Sequence, residues 1–254
     1  MIKKIIEFII SVFKYKDEEP IINEIKVPSE EIKEKPTINQ EEVKQPSNNT
    51  ETTQKEVYVM LTNKEQQTYL KKIGLYTKKI DGIKGNGHKL AIKQFNIIFL
   101  NTKSEAYTEE TDKLLRKIYN SYNASPYMTS SDWQYFKNFK FSEFYCTCKK
   151  KYCDGYNGLK EKIPMRLLMA DQYIRNYYNK PVSFTSTIRC SKRNKEVGGV
   201  SNSKHMKFRA NDLKCGGIKA NDVVNLVYKG TNKLPFVNYS YSITSTHAHV
   251  DVVI

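Results

Sequence analysis

Apolar residues along this chain fall into three regimes. In the first sixteen residues, Ile2, Ile5, Ile6, Ile9, Ile10 and Phe13 recur at helical spacing opposite Lys3, Lys4, Glu7, Ser11 and Lys14. This pattern predicts an amphipathic helix over 1–16 suited to lying on a membrane surface or a virion partner. It makes a poor secretory signal, because Glu7 interrupts the apolar run and no small-residue cleavage site follows. Residues 17–55 carry no sustained apolar period and are rich in Glu, Lys, Pro, Asn and Thr. Such a stretch cannot bury enough surface to offset chain entropy and is expected to be a disordered linker. Helical periodicity returns at 56–122. Thr62 is placed to cap a helix running through Leu70 to Ile73, with Gly74 as its stop. The Gly- and Asp-rich loop KKIDGIKGNGHK leads to a second helix through Leu90, Ala91, Ile92 and Phe95, and a third is expected from Thr111 to Tyr119.

The Ser, Asn and Pro content of SYNASPYMTSSD suggests a second linker at 123–132. Beyond it, over 133–254, the pattern is mixed. A helix is expected from Pro164 to Asn179, followed by strand-like runs such as PVSFTSTIR and HAHVDVVI. Helix followed by strands indicates an α+β domain.

The 254 residues, 39% apolar and 12% aromatic, leave room for one or two cores. Charge divides the chain. Residues 1–56 hold 9 Lys against 12 Asp+Glu (−3), while 57–254 hold 33 Lys+Arg against 15 (+18). The folded part should therefore be drawn to polyanions, among them nucleic acid and anionic bacterial wall polymers. Nucleic acid rests on charge alone and ranks last, since no nucleic-acid module is recognisable. No stretch reaches the roughly 20 apolar residues of a membrane span.

Three of the four histidines lie in the last 50 residues. In HAHVDV, alternation puts His247, His249 and Asp251 on one strand face and Ala248, Val250 and Val252 on the other. Three ionisable groups together on an otherwise apolar strand are costly without a partner. Zinc binds His nitrogen and Asp oxygen, and a catalytic site uses three protein ligands plus a water. His205, Asp212 and one of the two late histidines meet that need; the other would stand free beside the water. Satisfied core or surface histidines are the alternative. The five cysteines are odd in number and read as mostly reduced. Cys146, Cys148 and Cys153 have spacing suited to a structural metal, with Cys190 or Cys215 nearby, or are simply buried thiols.

The run VSFTSTIRCSKRNKEVGGVSNSKHMKFRAND resembles the central segment of the zinc D-alanyl-D-alanine carboxypeptidase family. That family includes phage L-alanyl-D-glutamate endolysins and is part of the LAS metallopeptidases. Ser186 to Arg189 matches its S-G-x-R element, Asn194 to Gly199 its N-x-x-V-G-G, Ser203 to Asp212 its S-x-H-x-x-G-x-A-x-D, and His247 to Asp251 its terminal H-x-H. FKFSEFYCTCKKKYC resembles the family's opening segment. The likeness covers about 135–254 and implies a small antiparallel sheet with helices, as in Hedgehog and D,D-peptidase folds. It implies Zn2+ held by His205, Asp212 and His249, with His247 as catalytic histidine. By the same likeness, Arg189 would hold a substrate carbonyl or carboxylate, Ser203 would support the substrate site, and Asp251 would orient a ligand histidine. Phe208 departs from the pattern by standing where the family has Gly, and Thr246 stands where some relatives place a catalytic carboxylate.

The segment QQTYLKKIGLYTKKIDGIKGNGHKLAIKQFN resembles the three-helix peptidoglycan-binding domain through Asp81, Gly82, Gly85, Ala91 and Phe95. Together the resemblances imply a peptidoglycan hydrolase, an endolysin or virion-associated lysin, of D,D-carboxypeptidase or endopeptidase type. It would act at the bacterial wall or periplasm, after production in host cytoplasm or carriage on a phage particle. The competing reading is a non-catalytic wall-binding or virion structural protein that keeps the peptidase fold.

Overall fold

Among the described residues the first helix, α1 (Asn63–Ile73), begins where Thr62 and Glu65 exchange hydrogen bonds. The Glu65 carboxylate accepts from the Thr62 amide at 2.8 Å, satisfying a donor that the helix start leaves open. It ends at Gly74, whose φ of +94° is left-handed and nearly free of strain only for glycine. These details come from a computed structural model that describes residues 58–155 and 163–254. The expected helix at 1–16 and linker at 17–55 lie outside the described residues.

The loop after α1 is gripped by one side chain. Buried Gln67 donates to Asp81 Oδ1 and the Ile83 carbonyl, each at 2.9 Å. Its own carbonyl accepts from the amides of Asp81 and Gly82, again at 2.9 Å. Helix α2 (Asn86–Leu100) follows, longer than its apolar core suggested because Gly85 opens it five residues before Leu90. Helix α3 (Glu109–Ala124) is capped by Thr108 and carries Glu109, Glu110 and Asp112 in its first turn, where negative charge suits the helix dipole. The carboxylate of Asp112 is fully buried and accepts from Tyr107 at 2.8 Å, the Leu61 amide at 2.6 Å, Arg116 at 2.6 Å and Tyr58.

The stretch 123–132 is an ordered connection. Ser121 bonds Asp132, the Met128 amide donates to Ile163 O at 2.8 Å, and the Met165 amide donates to Pro126 O at 3.0 Å. Within it, Ser125 Oγ accepts from the Tyr127 amide at 3.1 Å and Asp132 from the Thr129 amide at 2.7 Å. Helix α4 (Met165–Tyr178) then runs between the helical segment and a sheet, and it is buried nearly all round, which explains its weak amphipathic signature. Asn176 on α4 donates to Ile97 O of α2 at 2.6 Å, and Gln94 of α2 reaches the carbonyls of Asn232 and Lys233 at 3.0 and 2.9 Å. Helical and sheet segments form one compact unit with one continuous apolar core.

The sheet is antiparallel, in the order β1 (Val182–Ser186), β2 (Ala210–Cys215), β4 (Ala248–Val252), β3 (Val237–Ser242). One face lies beneath α4. There Leu213, Ala248, Val250 and Val252 are buried, and Asn211 donates to Asp171 of α4 at 2.6 Å. The short helices α5 (Ser191–Glu196) and α6 (Ala220–Val224) complete the α+β arrangement. No helix among the described residues is long and apolar enough to cross a membrane.

Candidate metal centre

The sheet's other face carries the chemistry. Register places Ser186 opposite Asp212, Asp212 opposite His249, and His249 opposite Tyr241, forming one row across all four strands. Side chains two apart on a strand share a face, so Asp251 stands beside His249 on this side, as the alternation in HAHVDV predicts. His205 comes from the single turn Lys204–Lys207 just before β2.

The three side chains converge. His249 Nδ1 lies 2.8 Å and His205 Nε2 3.2 Å from the same Asp212 oxygen, and the two nitrogens are 3.3 Å apart. Bonds of about 2.0–2.1 Å to a tetrahedral zinc would separate ligand atoms by about 3.3 Å. All three residues are buried.

The outward nitrogens decide what the inward ones can do. His205 Nδ1 is 2.6 Å from the carbonyl of Thr187, which only accepts, so this nitrogen carries the proton and Nε2 is left with a free lone pair. His249 Nε2 faces Asp251 Oδ2 at 3.4 Å, and Asp251 is itself held by Asn238 at 2.8 Å. Both imidazoles are thus oriented from behind with their metal-binding atoms turned to one point, as ligand histidines require. Burial alone would raise the Asp212 pKa. With a proton on each facing nitrogen, hydrogen bonds from His205 and His249 outweigh that and hold it well below the usual carboxylate range; a cation would take the place of those protons. At His249, burial favours the neutral ring, but Asp212 and Asp251 together raise its pKa. Concentrated negative charge facing two nitrogen lone pairs is a donor set for a divalent cation, and the residues present fit zinc.

Arg189 lies at the edge of the trio. It donates through Nε to Ser186 Oγ at 2.7 Å and through Nη2 to the second Asp212 oxygen. The expectation had this guanidinium holding substrate; here two of its donors go to the protein, and the remainder are the ones a substrate could use. His247 precedes β4, half-buried in the turn, its ring Nδ1 bonded by Thr244 at 2.7 Å and Thr246 at 3.2 Å. It is not one of the converging trio. Ser203 is buried at the start of the His205 turn. Phe208 keeps a left-handed backbone, φ +56°, at the position where the resemblance calls for Gly, and its ring is buried in the core. The turn that aims His205 is therefore preserved, at a cost of about 1–2 kcal/mol in backbone strain. In the N-x-x-V-G-G element, Asn194 donates to the carbonyls of Gly199 and Val200, and a Cβ on Gly199 would collide with the Asn194 amide.

Tyr241 was not singled out from the sequence. Its ring stacks on His249 with centroids 4.9 Å apart, and it is partly exposed beside the trio. Thr187 escaped notice too, since it contributes only its carbonyl. Four of the cysteines, Cys146, Cys148, Cys153 and Cys190, cluster apart from this row, and Cys215 is not among them.

Residues 137–251 match the family model described as Peptidase M15. The matched span contains the sheet except its last residue, Val252, together with the trio, His247 and the cysteine cluster. It marks this part of the chain as similar to a metallopeptidase, in agreement with the buried His-Asp-His geometry. No curated protein matches the chain.

Proposed function

We propose that this protein is a zinc peptidase that cleaves the peptide of bacterial peptidoglycan. The observation that carries the reading is the pair of back-oriented imidazoles, His205 on Thr187 and His249 on Asp251, converging on one Asp212 oxygen inside an M15-like segment. His205, Asp212 and His249 would hold the ion. Zinc, when bound, lowers the pKa of a coordinated water and polarises a carbonyl. Arg189 would orient the substrate carbonyl or carboxylate with the donors that Ser186 and Asp212 leave free. His247, tethered by Thr244 and Thr246 at the rim, would exchange protons with the nucleophile and leaving amine. Tyr241 would offer a flat wall beside His249, and Ser203 would support the turn below.

Wall specificity rests on the resemblance of the α1–α3 segment to a peptidoglycan-binding domain and on the charge of +18 beyond residue 56. A binding segment raises local enzyme concentration at an insoluble substrate. Action at the wall or periplasm, as an endolysin or virion-associated lysin, is part of this proposal.

Purified protein should carry zinc and clear a suspension of bacterial walls, and a chelator should stop it. Clearing by zinc-free protein would overturn the mechanism. His247→Ala should retain the metal and lose at least about 100-fold in rate; loss of metal instead would make His247 a ligand. Wall pull-down without released fragments would establish a binding protein. Mass spectrometry of released fragments identifies the bond cut.

A further inference from the structure

From the four cysteines the structure brings together, we infer a second metal site, built from Cys146, Cys148, Cys153 and Cys190, that takes zinc as a tetrathiolate and has a structural role. The four sulfurs lie within 4.8 Å of one another, and Cys148 and Cys153 are 3.5 Å apart. Zinc–sulfur bonds of about 2.3 Å in a tetrahedron put sulfurs about 3.8 Å apart, so the cluster needs only small adjustment. Three of the four are buried. Buried thiols used only as apolar filler would have no reason to aim four sulfurs at one point across 44 residues of chain.

The surrounding backbone favours thiolates. The Cys190 amide points at Cys146 Sγ and the Arg193 amide at Cys190 Sγ, each at 3.4 Å. Amides of Tyr152 and Cys153 face Cys148, and that of Gly155 faces Cys153. Four thiolates around Zn2+ leave a net charge of −2; Lys149, Lys150 and Lys151 are neighbours in the chain, and Arg193, whose amide faces Cys190 Sγ, adds positive charge nearby. Apart from scattered bonds such as Tyr152 to Glu196 at 3.1 Å and Arg193 to Thr147 at 3.4 Å, the segment has no regular structure to hold its shape. Residues 146–155 contain no helix or strand, and Lys149, Lys150 and Gly155 all take positive φ. A metal closing this loop onto Cys190 would add a strong constraint.

The position suggests what the constraint serves. Cys190 directly follows Arg189, and Thr187 Oγ1 donates to the carbonyl of Tyr145, next to Cys146. Tying 146–153 to Cys190 would brace the chain from Thr187 to Arg189, which orients His205 and pairs with Asp212. The site has no open position and no role in the reaction itself.

The test is metal analysis of the full chain purified under reducing conditions. Wild type should hold about two zinc ions per chain, and His205→Ala/His249→Ala about one. That remaining zinc should be released by an organomercurial that titrates the thiols, and cobalt substitution of the same variant should give thiolate-to-cobalt charge-transfer absorption. Cys215→Ser should leave it in place, and Cys148→Ser should remove it. A zinc-free double variant would overturn the inference whether or not Cys148→Ser folds. So would a chain mass lower by the hydrogens of a disulfide. Failure of the peptidase proposal would appear separately, as zinc retained at the cysteines with none at the His-Asp-His trio.

Discussion

Asp112 and Asp212 are both buried carboxylates beside an arginine, one in the helical segment and one in the sheet. Their neighbours separate them. Asp112 is surrounded by groups that can only donate to it, namely two tyrosine hydroxyls, a backbone amide and Arg116. Burial pushes its pKa up, but these bonds prevail and hold it below the ordinary value. Nothing is left for a ligand. Asp212 instead shares one oxygen with two imidazole nitrogens whose other nitrogens are already committed. A buried charge therefore marks a site only when its partners keep unused lone pairs. The first carboxylate ties α3 to the chain before α1; the second stands in a donor set that fits a cation.

The largest effect that tests this contrast is Asp112→Ala. It leaves the buried Leu61 amide and the Tyr107 hydroxyl without their acceptor, each worth about 1–3 kcal/mol, and should cost about 2–5 kcal/mol in urea unfolding. A cost below that of Asp212→Ala in metal-free protein would reverse the comparison. Next comes the metal. Zinc at a thousandfold excess over its Kd should stabilise the wild type by about 4 kcal/mol through the trio, and Asp212→Ala should abolish that gain. If Asp112→Ala removed it equally while still folded, the two carboxylates would not be distinct in role.

Acid sharpens the comparison further. Because the Asp112 pKa is depressed by folding, its contribution is present above the unfolded value of about 3.9 and is lost as pH falls through the folded one. Asp112→Asn should flatten that acid limb of the stability curve. The smallest effect concerns a third carboxylate, Asp171, which is completely buried and has one oxygen bonded to Asn211 and the other unpartnered. Burial raises its pKa well above the ordinary value. Its stabilising contribution is full below the unfolded value of about 3.9 and is lost as pH rises through the folded pKa. Asp171→Asn should thus be neutral or stabilising by about 1 kcal/mol at neutral pH, with a flatter profile above pH 4. A loss exceeding that of Asp112→Asn would mean that Asp171 is ionised and paired.

Much of this was legible in the residues. Thr62 and Gly74 bound α1 because capping is local chemistry, and Pro164 and Asn179 flank α4 for the same reason. The spacing in HAHVDV shows which residues share a face because strand period is set by covalent geometry. The ordered motifs singled out His205, Asp212 and His249 before any contact was known. The bonds that tie the 123–132 linker to Ile163 and Met165 were not legible, since a Ser- and Asn-rich stretch reads alike whether its polar groups face water or neighbouring backbone.

The sequence by itself determined the helices of the first segment, the α+β character of the second, and which few side chains could bind a metal. The elements depend on residues close together in the chain, and the metal-binding candidates on ordered motifs along it. Tertiary structure alone decided that Thr187 O sets the His205 imidazole, that Arg189 reaches Asp212, and that Cys190 rather than Cys215 joins the other cysteines. Those pairings join residues tens of positions apart, through strand register and a shared core that no local pattern encodes.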